Sequence, residues 1–308
     1  MMENVGQATD TAKEKAIGIF DSGVGGLTVA GQIMKKLPNE RIVYFGDSKR
    51  APYGNKSVDI LEKYSKEIVD FLKEKDIKVL VIGCGTISAS CYKAVCGMID
   101  VPVFEMVSPA VIAGLGIAEN NRLGLIATEA AIKAGTHAAA FAAANPNIEI
   151  ISKACPMFVP LVEEGWIDNA LSDMAAERYL SCFLNPTEIL ENESEVKTEK
   201  ISKIDGLILG CTHYPLLQSS IVKVMGDIPL IDPAAALAQI LADYMGKNGL
   251  LNTANTANAA TNTDELPKLL LPKHKFYASA NKKHFQKIGK LITGHSLDVE
   301  IFEIDEDY

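Results

Sequence analysis

The chain has 308 residues, a net charge of −9 at pH 7 and 48% hydrophobic residues. That is enough apolar material for one large domain or two ordinary ones, and the acidic balance argues against a nucleic-acid partner held on a broad basic face. No apolar run reaches bilayer length, and six cysteines without a Cys-x-x-Cys pair are neither a disulfide scaffold nor a metal cluster.

Met1 to Lys15 is polar and carries no apolar signal core, which reads as a loose leader on a cytoplasmic protein. Ile17 to Phe20 is a short buried strand. Asp21-Ser22-Gly23-Val24-Gly25-Gly26-Leu27-Thr28 follows and opens an apolar-periodic helix through Met34. Its glycines allow a sharp turn that exposes N–H groups to an anion. A dinucleotide site would want G-x-G-x-x-G, and Thr28 stands at the third position, which weakens that alternative. Asp21, a carboxylate at a strand end, can orient a base or hold an ammonium group.

Arg41 to Asp47 is a second strand. Arg50-Ala51-Pro52-Tyr53-Gly54-Asn55 has turn chemistry and offers a tyrosine and exposed backbone. Val58 to Lys73 is an amphipathic helix. Val79 to Ile82 is an apolar strand, and Gly83-Cys84-Gly85-Thr86 ends it. Cys91 and Cys96, in the next helix, read as core.

Strand Leu123 to Ala127 begins the second half and ends in Thr128-Glu129. Glu149-Ile150-Ile151 is strand-like. Cys155-Pro156-Met157-Phe158-Val159-Pro160-Leu161-Val162-Glu163-Glu164 reads as a rigid loop entering a helix, with the adjacent glutamates on its solvated face. Asn185 to Lys203 reads as an acidic insertion. Leu207 to Leu209 is a strand, and Gly210-Cys211-Thr212-His213-Tyr214-Pro215 ends it; Pro215 fits a first helical turn. Asp232-Pro233 opens a helix through Met245. Gly249 to Leu266 is low in complexity and reads as mobile. Lys275 to Ser279, Lys282 to Ile292 and Val299 to Phe302 make a strand–helix–strand tail expected to pack on the first half.

The two thiol segments are copies. Cys84 precedes Val101-Pro102-Val103-Phe104 as Cys211 precedes Ile228-Pro229-Leu230-Ile231, and Ile17 to Ser22 resembles Leu123 to Thr128. Ligands of open α/β sheets sit beyond the carboxyl ends of strands. The expected fold is therefore two pseudo-symmetric open-sheet α/β domains with the active site in the cleft between them. The expected division is residues 1–106 with 232–308 as the first domain and 107–231 as the second. Each half offers one thiol, beside helix N–H groups that favour a thiolate. Two thiols across one substrate carbon suit proton removal from one face and return on the other.

The combination F-D-S-G-V-G-G-L-T, Y-F-G-D-x-x-R-A-P-Y-G, A-C-P-M-F-V-P-L-V-E-E-G and L-G-C-T-H-Y-P-L-L closely resembles bacterial glutamate racemase, over Ile17 to about Ile304. The resemblance implies cofactor-independent racemisation of glutamate, with no metal, supplying D-glutamate for peptidoglycan in the cytoplasm. It implies that Cys84 and Cys211 are the acid/base thiols, the first acting on the D enantiomer and the second on the L. Asp21 and His213 are their implied assisting groups, with Glu163 a further candidate. Asp21, Ser22, Tyr53, Gly54, Thr86, Thr128, Thr212 and His213 are the implied substrate contacts. The family usually has Cys-Asn-Thr at the first thiol, where this chain has Cys84-Gly85-Thr86; Gly85 offers only its N–H. That departure keeps aspartate or another acidic amino acid open as substrate. A regulatory binding protein with structural thiols is a further alternative. A homodimer is left open, and no membrane partner is expected.

Overall fold

The computed structural model describes residues 10–184, 203–252 and 274–304. The leader up to residue 9, most of the acidic insertion and the low-complexity stretch from residue 253 lie outside the described residues.

Among the described residues ten strands form two parallel sheets. The first half supplies β1 (Ala16–Asp21), β2 (Ile42–Gly46), β3 (Ile77–Ile82) and β4 (Val103–Phe104). The second supplies β5 (Arg122–Ala127), β6 (Glu149–Ala154), β7 (Gly206–Leu209) and β8 (Leu230–Ile231). The tail supplies β9 (Lys275–Ala278) and β10 (Val299–Ile301). The sheet orders are β10-β9-β2-β1-β3-β4 and β6-β5-β7-β8. The order β2-β1-β3-β4 of the first sheet is repeated as β6-β5-β7-β8 in the second, so the halves inferred from the paired motifs share one topology. The tail extends the first sheet through β9, which pairs with β2.

The apolar strands are buried on both faces, as central parallel strands require. Ile17 and Ile19 of β1 and Val79 and Val81 of β3 face one layer, with Leu27, Ile33, Leu237 and Leu241. Their neighbours Phe20, Leu80 and Ile82 face the other layer, with Leu61, Ile68, Leu72 and Ile87. The period-2 alternation of side chains puts consecutive residues in different cores. Burying each such side chain contributes roughly 1.5–3 kcal/mol. β6 lies at an edge and is partly exposed.

Pro215 sits in a first helical turn as expected, a 3-10 turn, Tyr214–Leu217, that precedes helix Gln218–Met225. Two local expectations are corrected. Cys91 is buried, but Cys96, at the last position of helix Gly85–Cys96, is exposed; the core-facing stripe has turned away by then. Glu163 and Glu164 lie together at the end of helix Phe158–Glu163, but only Glu164 is exposed, because Glu163 turns inward onto His213 and is half-buried. Among the described residues no helix is long and apolar enough to cross a membrane.

Candidate active site

Both thiols are placed by the same local device. Gly83 N donates to Phe20 O at 2.8 Å, and Gly210 N donates to Ile126 O at 2.8 Å. Each glycine thus closes the ladder to the central strand of its own sheet and leaves the next residue, Cys84 or Cys211, just beyond the strand end. Cys84 is also the N-cap of helix Gly85–Cys96. Cys84, Gly85 and Cys211 line one cavity of about 20 Å³ with Ser22, Tyr53, Gly54, Thr86, Thr128, Thr212 and His213. The inferred contact residues other than Asp21 are therefore brought together, with Pro52 and Val159 as apolar wall that motif reading did not single out. The larger cleft of about 790 Å³, between helix Leu27–Lys36 and the tail, holds neither thiol.

Asp21 stands behind this wall. It is fully buried, accepts from Gly23 N at 2.9 Å and from Thr212 Oγ1 at 3.4 Å. Burial raises its carboxyl above the ordinary range, and His213 and the backbone N–H groups work against that. The hydroxyl of Tyr53 is committed to Asp47, so its ring and the following backbone are what remain for a ligand.

The halves interlock around the cavity. Thr86 Oγ1 and Thr128 Oγ1 are 2.9 Å apart, Ala130 N donates to Gly54 O at 3.0 Å, and Thr28 Oγ1 donates to Thr212 O at 3.2 Å. Glycines make these approaches possible. A Cβ on Gly25 would come within 2.5 Å of the His213 ring, and one on Gly85 would overlap the Gly210 carbonyl oxygen. Thr28, which breaks the dinucleotide pattern, instead ties the first half to the strand end that carries Cys211.

The two thiols differ electrically. Burial, followed by the nearby Asp21 charge, pushes the Cys84 thiol up to about 12. The Ile87 N–H and the Ser22 hydroxyl lower it only in part. The expectation that helix N–H groups favour a thiolate is therefore corrected for Cys84, because desolvation in a closed cavity outweighs them. Cys211 Sγ lies 3.8 Å from His213 Nδ1, and His213 Nε2 lies 2.6 Å from Glu163 Oε1. Burial disfavours a charged imidazole, but bonds to Cys211 and Glu163 prevail, and His213 is held well above its usual range. For Glu163 burial is likewise outweighed, by His213 and then His284, and its carboxyl is held down.

Two histidines were missed by motif reading. His284, on helix Lys282–Thr293, has Nε2 3.1 Å from Glu163 Oε2. His137 is buried and lines a small neighbouring cavity with Gly85 and Cys211; burial lowers its ring to about 4. Neither sits in a motif or a repeat. Among the described residues no cluster of three His, Cys, Asp or Glu is arranged to hold a metal ion.

No family model matches the chain. It is 41% identical over 238 residues to a glutamate racemase of Geobacter metallireducens, covering 77% of this chain and 82% of that one. It is 35% identical over 298 residues to a glutamate racemase of Neisseria meningitidis, covering 96% and 97%. Among solved structures it resembles Francisella tularensis glutamate racemase in complex with D-glutamate, with a TM-score of 0.78, 33% identity and 94% and 98% coverage.

Proposed function

The chain belongs to the glutamate racemase family and interconverts L- and D-glutamate, and from that premise we propose that it works with two thiols on opposite sides of one carbon and needs no cofactor. The observation that carries this mechanism is that Cys84 and Cys211, from equivalent strand ends of two like sheets, line a single cavity.

In the L-to-D direction Cys211 takes the α-proton as thiolate base and Cys84 gives its proton to the opposite face. The Cα–H bond breaks toward Sγ of Cys211, the electron pair stays on carbon, and a new Cα–H bond forms from the Cys84 thiol. The resting arrangement suits these roles. Cys84, pushed up to about 12, keeps its proton, whereas Cys211 has beside it an imidazole whose charged form is favoured by Cys211 and Glu163 against its burial. Bringing a positive α-ammonium group into the cavity lowers the cost of the second thiolate when the direction reverses.

Asp21 and His213 assist the Cys84 and Cys211 sides respectively, and Glu163 holds the imidazole. Ser22, Thr86, Thr128 and Thr212 hydroxyls, with the N–H of Gly85 and the Tyr53–Gly54 loop, bind the substrate carboxylates and the charge developing on the carbanion. Such donors, fixed in place before reaction, stabilise the transition state without reorganising. The product is read as D-glutamate for peptidoglycan, made in the cytoplasm.

The test is circular-dichroism monitoring of L-glutamate with protein dialysed against chelator and no cofactor added. Decay of the signal toward zero is expected. Activity that returns only when metal or pyridoxal phosphate is added would overturn the mechanism. Aspartate is run alongside, because Gly85 puts no side chain into the cavity wall; aspartate turnover matching glutamate would transfer the substrate assignment.

A further inference from the structure

Four side chains make a continuous run from the second thiol toward solvent. Cys211 Sγ to His213 Nδ1 is 3.8 Å, His213 Nε2 to Glu163 Oε1 is 2.6 Å, and Glu163 Oε2 to His284 Nε2 is 3.1 Å. Exposure rises along it: the His213 side chain is 4% exposed, that of Glu163 25% and that of His284 38%. The run also crosses between halves. Glu163 ends a helix of the second half, whereas His284 belongs to the tail helix, whose Phe285 and Ile288 are buried in the core of the first. Cys84 is differently placed. The groups that favour its thiolate are the Ile87 N–H and the buried Ser22 hydroxyl, and among the described residues neither is hydrogen-bonded onward to an exposed titratable group.

We propose that His284 is the solvent-side end of a proton circuit that serves Cys211, acting through Glu163 as a positioning residue. The inference rests on the two-thiol reading. After an L-to-D turnover the thiol that received the α-proton is protonated and the other has lost its proton. Both must be reset before the next turnover in the same direction. Cys211 is buried in a cavity closed by the seam, so its proton needs a route. Starting from a neutral His213 with its proton on Nε2, Sγ gives a proton to Nδ1 as Nε2 gives one to Glu163, and Glu163 gives one to His284, which passes it to water. The net result is one proton moved outward, with the His213 proton left on Nδ1 instead of Nε2 and no electron transferred; the D-to-L direction runs the circuit inward.

The geometry gives His284 a second effect. With Oε2 held by His284, Oε1 is the oxygen left facing His213, and this orients the ring toward Cys211. The charged and titratable groups around the carboxylate are His213 and His284 in contact, with Asp21 and Tyr44 farther off; Lys283 and Lys287 flank His284 on its own helix. A partly exposed pair of this kind is too weak to hold the halves together by itself, so a merely structural role predicts little change on substitution.

The experiment combines His284→Gln, which keeps a donor to Glu163 but cannot carry a proton, and His284→Phe, which does neither. Each is made in Cys84→Ser and Cys211→Ser backgrounds and assayed for elimination from a β-leaving-group amino acid, which needs one base. Cys84→Ser with the L analogue reports the Cys211 side; Cys211→Ser with the D analogue reports the Cys84 side. Both His284 variants are expected to lower kcat on the Cys211 side by about tenfold or more and to leave the Cys84 side within about twofold. Gln should restore KM but not kcat. Equal losses on both sides, or full recovery of kcat with Gln, would overturn the circuit. Failure of the two-thiol reading looks different: single-thiol variants with His284 intact would then eliminate both enantiomers alike. In that event imidazole NMR titration of the protein with both thiols present decides the inference, since His284→Gln must move the His213 midpoint if the two rings communicate through Glu163, and an unmoved midpoint refutes it.

Discussion

Cys84 and Cys211 occupy equivalent strand ends but opposite electrostatic settings, one next to a buried carboxylate and the other next to an imidazole. Serine keeps the shape of either thiol and is far less acidic, so Cys84→Ser or Cys211→Ser should lower racemisation by at least about 10³-fold, within the range that a positioned acid or base contributes. Each variant should still eliminate from one enantiomer of a β-leaving-group analogue, and the two should choose opposite enantiomers. Racemisation near the wild-type rate in either would end the two-thiol account. Cys155, fully buried with Sγ on Lys153 O, and Cys91 should tolerate serine with racemisation retained. His137 allows a stability prediction. Its ring titrates near 4 when folded and near 6.5 when unfolded, so below pH 6.5 the unfolded chain binds a proton that the folded chain refuses. Stability is therefore lost as pH falls from 6.5 toward 4, by about 2 kcal/mol at about pH 5. His137→Gln should remove that share of the acid loss, read as a smaller difference in urea midpoint between pH 7.5 and about pH 5. The thiols were legible because the chain states them twice. Glu163 was singled out from Glu164 only by the family resemblance, because a one-residue step around a helix end, which the residues alone do not reveal, decides which carboxylate meets His213. His284 was not legible at all, since its partner lies 121 positions away.

At the scale of elements, apolar runs located β1, β3, β5 and β7, the two thiol strands β3 and β7 ending in glycine, and the amphipathic period placed helix Val58–Lys73 at its observed bounds. What the pattern did not carry is how non-local elements are fastened. Lys78 of β3 is an example. A lysine within an apolar strand is costly to bury unless paired. Its Nζ lies 2.6 Å from Glu40 Oε2, with both side chains 2% exposed, and also donates to Lys13 O and Leu250 O. Glu40 Oε1 in turn accepts from Asn252 N at 2.7 Å. One ion pair thus fastens the segment before β1 and the end of helix Pro233–Lys247 to the first sheet. Lys78→Met should destabilise by about 3–5 kcal/mol, because it strands the buried Glu40 charge and frees two carbonyls. Adding Glu40→Leu should recover much of that loss in urea unfolding. If the single and double variants are equally unstable, the Lys78 contacts to backbone, not the ion pair, hold the elements.

On the scale of the whole molecule the two halves are closed on each other. The cavity between the thiols, about 20 Å³, has room for about one water and none for an amino acid. Substrate entry therefore requires the seam to part, and at Gly85 the two halves meet backbone to backbone. This glycine is the first residue of its helix and lies against the Gly210 carbonyl, so any Cβ there overlaps backbone, which cannot rotate aside. An asparagine introduced as Gly85→Asn cannot keep the closed geometry seen here. Yet the collision is between halves and not within either core, so each half should still fold. The expected result is a cooperative thermal transition close to that of the wild type, with faster amide hydrogen exchange around Gly210 to His213 and a changed KM for glutamate. KM falls if the added amide bonds the substrate in the widened cavity and rises if the lost closure dominates; exchange should accelerate in both cases. Unchanged exchange at that strand end would show that the halves do not meet through Gly85 in solution. A variant that unfolds would instead assign Gly85 to the integrity of its own helix start.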